Sequence, residues 1–135
     1  MAEDDIAAIM KWPYTAICSD GSGMGRHPRG YGSFTKVIRQ YVREGTVLPM
    51  EEAIYKMTGL TAKNLGIKKR GSIQVGYYAD LVLFDPQKVN DRATPDKPQL
   101  RSVGIEHVFV NGMEVYSESK STTAYPGKII RRGDN

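Results

Sequence analysis

The chain has 135 residues, 40% hydrophobic and 25% charged, which is enough apolar content for one domain of ordinary size. A formal net charge of +4 is too modest to mark a polyanion binder, and a single cysteine excludes an intrachain disulfide and any closed zinc site built on cysteines. No apolar run approaches the roughly 18 residues of a membrane span, and the acidic start Met1-Ala2-Glu3-Asp4-Asp5 lacks the regions of a signal peptide, so a cytoplasmic protein is expected.

The elements follow in chain order. Glu3 to Met10 reads as a short helix, with Ile6, Ile9 and Met10 on one face and acidic residues at its N-terminus. Trp12-Pro13 ends it. Tyr14 to Cys18 reads as a strand, apolar or small on both faces, as in a buried parallel strand. It stops at Asp20 and gives way to a glycine-rich loop that holds His27-Pro28-Arg29. Ser33 is expected to cap a second helix, whose apolar face is Phe34, Val37, Ile38, Tyr41 and Val42, and Gly45 closes it. Pro49, Glu51 and Glu52 open a third helix with Ala53, Ile54 and Met57 inward, ended by Gly59. Thr61 to Leu65 adds a further helical turn before Gly66.

From Gly71 onward the pattern is that of strands. Ile73–Val75 is a short candidate, and Ala79–Phe84 is a stronger one. Residues 86–103, polar and with three prolines, read as a surface excursion. Ile105–Val110 and Met113–Tyr116 flank Asn111-Gly112, a strong hairpin signal. Lys128–Arg131 reads as a last strand. The basic clusters Lys68-Lys69-Arg70 and Lys128 to Arg132 lack interleaved aromatics and read as solvated surface, so nucleic acid is not an expected partner.

The front strand stands alone among helices. A parallel-type strand leaves its backbone groups unpaired without neighbours, which points to part of a larger α/β domain. Asp20, at the end of that strand, can hold a metal or move a proton, or it can simply cap the turn at Gly21. A phosphate-cradling role for Gly21 to Gly25 does not fit: a helix should begin at the loop, and no Lys-Ser/Thr follows.

Two motifs carry a resemblance. Gly71-Ser-Ile-Gln-Val-Gly76-Tyr-Tyr-Ala79-Asp80-Leu-Val-Leu-Phe-Asp85, with Val108-Phe-Val-Asn111-Gly112, resembles the C-terminal segment of the metal-dependent amidohydrolases. Ser19-Asp20-Gly21, His27-Pro28-Arg29, Tyr41-Val42-Arg43 and Lys56-Met57-Thr58-Gly59 are similar to the D-aminoacylase branch, the N-acyl-D-amino-acid deacylases. The resemblance covers essentially the whole chain. It implies an α/β architecture plus small β. Residues 1–70 are expected to be the last β/α unit of a (β/α)₈ barrel and its closing helices, and residues 71–135 the C-terminal strands of an accessory β-sandwich. Such a barrel alone takes about 250 residues, so a C-terminal fragment or separately encoded piece is expected.

The resemblance also implies roles. Asp20 matches an aspartate that works beside zinc and moves a proton from water to the leaving amine. Arg29 is the candidate for the substrate carboxylate, and His27 lies beside it in the same loop. The family's other zinc ligands have no counterpart here, so Asp20 is a metal ligand only with residues this chain lacks. His107 is expected to be a surface or packed strand residue, Cys18 a buried inert thiol, and Asp80 and Asp85 makers of turn and backbone hydrogen bonds. The complete enzyme is expected to use zinc and an N-acyl-D-amino acid. The chain alone is expected to bind no metal, to be inactive, and to associate with a missing barrel portion or with itself.

Overall fold

The computed structural model describes residues 2–21 and 25–131. Helix α1 (Glu3–Lys11) has Glu3, Asp4 and Asp5 in its first turn and Lys11 in its last, each sign complementing the helix dipole. Chain reversal at Trp12-Pro13 leads into residues 15–20. The strand expected over Tyr14 to Cys18 does not form, and residues 15–20 carry no strand pairing. Among the described residues no segment lies beside them as a parallel neighbour, so the ladder does not form. Ile17 is nevertheless buried, and its amide donates to the Lys56 carbonyl at 3.1 Å.

A short 3₁₀ turn, Pro28–Gly30, precedes α2 (Ser33–Lys36), which runs without a break into a π-helical stretch, Val37–Glu44. Ser33 is the first helical residue and not the cap; its hydroxyl donates back to the Arg29 carbonyl at 2.6 Å. The stretch ends at Gly45 for a steric reason. A Cβ there would lie 2.6 Å from the Gln40 carbonyl oxygen, which the wider π turn brings close. Helices α3 (Met50–Met57) and α4 (Gly59–Leu65) complete the helical half. The core is Ile17, Val37, Tyr41, Leu48 and Ala53, with Ile6, Met10, Val42, Val47 and Met57 packed against it.

The second half is a four-stranded antiparallel sheet in simple order: β1 (Leu81–Phe84), β2 (Ile105–Val110), β3 (Met113–Ser117) and β4 (Lys120–Ser121). The β2–β3 hairpin turns at Asn111 and Gly112, both at positive φ (51° and 81°), as a tight turn matching the twist of the strands demands. Two expected strands are absent. Ile73–Val75 stands in solvent with nothing to pair to, and Lys128–Arg131 stays outside the sheet, whose last strand is the shorter β4.

The superfamily-like motifs meet at one polar node. Asp80 accepts from the Asn111 amide at 2.8 Å and is ion-paired to Arg70. Arg70 also donates to the Asn111 side-chain oxygen at 2.5 Å and lies over the Tyr78 ring, 4.2 Å from its centroid. Asp80 thus holds the hairpin turn in place, and Asp85 caps the next turn through the Gln87 amide at 2.8 Å.

Residues 86–103 are more than a surface excursion. Val89 is completely buried. Arg43 donates to the carbonyls of Pro86 (3.1 Å) and Val89 (2.8 Å), Arg39 pairs with Asp91 at 2.7 Å, and Thr35 shares a 2.7 Å hydrogen bond with Ser102. The segment is therefore stitched to the helix of residues 33–44. Among the described residues no helix is long and apolar enough to cross a membrane.

Candidate active site

Asp20 sits where the segment after α1 meets the glycine-rich loop. Burial of Ile17 anchors that segment three residues earlier. The loop closes on itself: the Asp20 amide donates to the Arg29 carbonyl at 3.4 Å, and Gly21 lies against Gly30. This closure brings Arg29 to Asp20. The Arg29 Nε donates to Asp20 Oδ2 at 2.7 Å, and both side chains are largely exposed (63% and 68%). Such a solvated pair adds about 0–1 kcal/mol to stability. Its importance is geometric: among the described residues it leaves the two Nη groups of the guanidinium without a partner and open to an external carboxylate.

His27 shapes the loop. Its Nδ1 accepts from the Arg29 amide at 3.2 Å and so caps the 3₁₀ turn that presents Arg29. The three residues singled out in the sequence are thus one cluster.

Beside them opens a cleft of about 470 Å³ between α1, residues 17–18, α2 and residues 91–95. Met10, Cys18, Arg29, Lys36 and Asp91 are among its walls. Asp91 already accepts from Arg39, and that hydrogen bond raises the Arg39 pKa above its usual value. Cys18 is exposed and not buried, because no strand covers the segment that carries it.

The donors among the described residues do not make a zinc site. A catalytic zinc takes three or so protein ligands. Among the described residues no group of three or more His, Cys, Asp or Glu side chains converges. His107 lies in β2 and faces Glu114 of β3 at 2.6 Å. Asp20 is one carboxylate, and Arg29 holds it.

Two supporting residues escaped the sequence reading. Tyr41, counted as apolar face, sends its hydroxyl to Glu3 at 3.0 Å, and burial, followed by that hydrogen bond, pushes its pKa up to about 12. Lys56 is fully buried within α3. Neither carries a local signal, since a lysine or tyrosine at helical spacing looks the same whether it faces water or core.

The Amidohydrolase family model matches residues 4–116. The D-aminoacylase of Alcaligenes xylosoxydans xylosoxydans is 42% identical over 98% of this chain. A crystal structure of D-aminoacylase matches with a TM-score of 0.93 at 43% identity, over 98% of this chain and 28% of that one. The N-acyl-D-glutamate deacylase from Bordetella bronchiseptica, solved with zinc and a phosphonate mimic of the tetrahedral intermediate, matches with a TM-score of 0.83 at 46% identity, over 89% of this chain and 26% of that one. The chain spans 28% of the length of the Alcaligenes relative.

Proposed function

Because the chain belongs to the amidohydrolase family, we propose that it is the C-terminal portion of an N-acyl-D-amino-acid deacylase and supplies that enzyme with its acid–base carboxylate and its substrate-carboxylate clamp. Residues 1–70 then form the last β/α unit of a barrel, and residues 71–135 part of an accessory β-sandwich. Support comes from residues 15–20, which end at Asp20 without strand neighbours in this chain, as the closing strand of a barrel would when its neighbours are encoded elsewhere.

The observation that carries the chemistry is the 2.7 Å contact between Arg29 and Asp20. It sets the Asp20 carboxylate beside a guanidinium whose two Nη groups have no hydrogen-bond partner among the described residues, which supports these two roles. In the proposed reaction the Asp20 carboxylate takes a proton from the attacking water as the water oxygen adds to the amide carbonyl. It returns that proton to the nitrogen as the C–N bond breaks, releasing a carboxylate and a free D-amino acid. Arg29 holds the substrate α-carboxylate, and His27, which lines the same cleft, keeps Arg29 aimed and faces the substrate. Zinc chemistry needs donors beyond this chain, and Asp20 is a metal ligand only in their company.

A graft tests this. The chain replaces the matching segment of the Alcaligenes D-aminoacylase, and hydrolysis of N-acetyl-D-amino acids is measured. The graft is expected to be active, and Asp20→Asn to lower kcat per zinc-loaded enzyme by about 10²–10⁴-fold. A zinc-loaded, fully active Asp20→Asn graft removes Asp20 from the chemistry. Stoichiometric zinc and hydrolysis by the free 135-residue chain would overturn the view that it depends on a missing portion.

The alternative reading is a non-catalytic subunit that associates with a separately encoded barrel portion or with itself. Exposed apolar residues favour it: Leu81, Val82 and Leu83 on the edge strand β1, with Ile73 and Val75 nearby in sequence.

A further inference from the structure

Lys56 has a side chain only 1% exposed, whereas the other described lysines all lie at the surface. Burying an ammonium is costly unless its donors are satisfied. Here Nζ donates to the Trp12 carbonyl at 2.6 Å and to the Thr15 carbonyl at 3.5 Å, and lies 3.7 Å from Glu52 Oε1. The Trp12 carbonyl lies just past the last turn of α1, where a helix dipole favours a cation. The backbone of the same lysine acts in the same direction, since its carbonyl accepts from the Ile17 amide at 3.1 Å. Lys56 therefore grips the segment from Trp12 to Ile17 at both ends. Among the described residues that segment belongs to no sheet ladder, and three residues after Ile17 the chain reaches Asp20.

We propose that Lys56 is a positioning residue for Asp20: its buried ammonium fastens the segment from Trp12 to Ile17 to α3 and fixes where the carboxylate enters the site. This rests on the acid–base role of Asp20 stated above. The Asp20–Arg29 pair is exposed and cannot by itself hold the backbone in place, whereas Lys56 is dry and reaches backbone oxygens that do not change rotamer. Misplacing a reacting group by about 1 Å can cost about 10²-fold in rate.

Two measurements on Lys56→Met test the proposal. In the free 135-residue chain, hydrogen exchange is followed by NMR. The Ile17 and Asp20 amides are expected to lose at least about tenfold protection relative to amides of α4. In the graft, kcat is expected to fall about ten- to a hundredfold with KM within about twofold and zinc content unchanged. Leu60→Ala, a buried change in α4, is the control for stability loss alone and is expected to leave kcat near that of the unmodified graft.

Unchanged protection of Ile17 and Asp20 in Lys56→Met overturns the proposal. So does an equal kcat loss in Leu60→Ala at matched melting temperature. If Lys56→Met does not fold, Lys56→Gln keeps a shorter neutral donor and the same outcomes decide. An unmodified graft that is zinc-loaded but inactive refutes the functional reading instead, and the exchange measurement still decides whether Lys56 positions the segment.

Discussion

The Tyr41 hydroxyl is held by a carboxylate from another helix, Glu3 of α1, while its ring sits in the core. Both the burial and the carboxylate favour the neutral phenol, so its pKa rises from 10.0 to about 12. The sign follows from linkage. The fold binds the phenol proton more tightly than the unfolded chain does, so this contribution is complete below pH 10 and is lost as the pH climbs towards 12. Tyr41→Phe is expected to cost about 1 kcal/mol near neutral pH through the lost hydrogen bond. The gap between wild type and variant should then narrow between pH 10 and 12 in chemical denaturation. A gap that widens there would contradict the assignment. At this scale the sequence made Asp20, His27 and Arg29 legible because each stood out against a glycine-rich loop. Tyr41 and Lys56 were not legible. Their roles depend on which atoms of other helices face them, and no local pattern records that.

Helices α1, α3 and α4 and the hairpin of β2 and β3 were all readable, because spacing, acidic first turns and Asn-Gly are local signals. The π-helical geometry of Val37–Glu44 was not. Its apolar spacing suits an ordinary helix, and no local pattern marks the wider turn in which Val37, Ile38 and Tyr41 are all buried. Gly45 is the residue that accommodates it. Gly45→Ala should therefore destabilise the chain by about 1–3 kcal/mol, since its methyl group would enter contact with the Gln40 carbonyl. Gly127→Ala, where a Cβ meets nothing within 4 Å, is the comparison, and thermal melts of the two variants decide. Ile73–Val75 failed as a strand for the opposite reason. Its residues have strand propensity, but strand formation needs a partner, and here none is adjacent.

Across the whole molecule, the segment 86–103, between β1 and β2, ties the sheet to the helix of residues 33–44. Arg43 reaches two of its carbonyls, and Arg39 and Thr35 add side-chain contacts. Arg43→Ala removes a charged donor from both carbonyls and is expected to cost about 1–3 kcal/mol. Opening should be local, so trypsin cleavage after Lys88, Arg92 or Arg101 should accelerate several-fold while helical circular dichroism is unchanged. Cleavage at the wild-type rate would show that the segment is held by other contacts. The sequence by itself determined the family, the helices, the β2–β3 hairpin and the Asp20 loop, because motifs, periodicity and turn residues act over a few neighbouring positions. Only the tertiary structure decided that Arg29 meets Asp20, that Cys18 lies open, that Val89 is core and that a buried lysine holds the segment leading to the site. Those facts depend on contacts between residues far apart in the chain and on strand neighbours that are absent, and a one-dimensional pattern encodes neither.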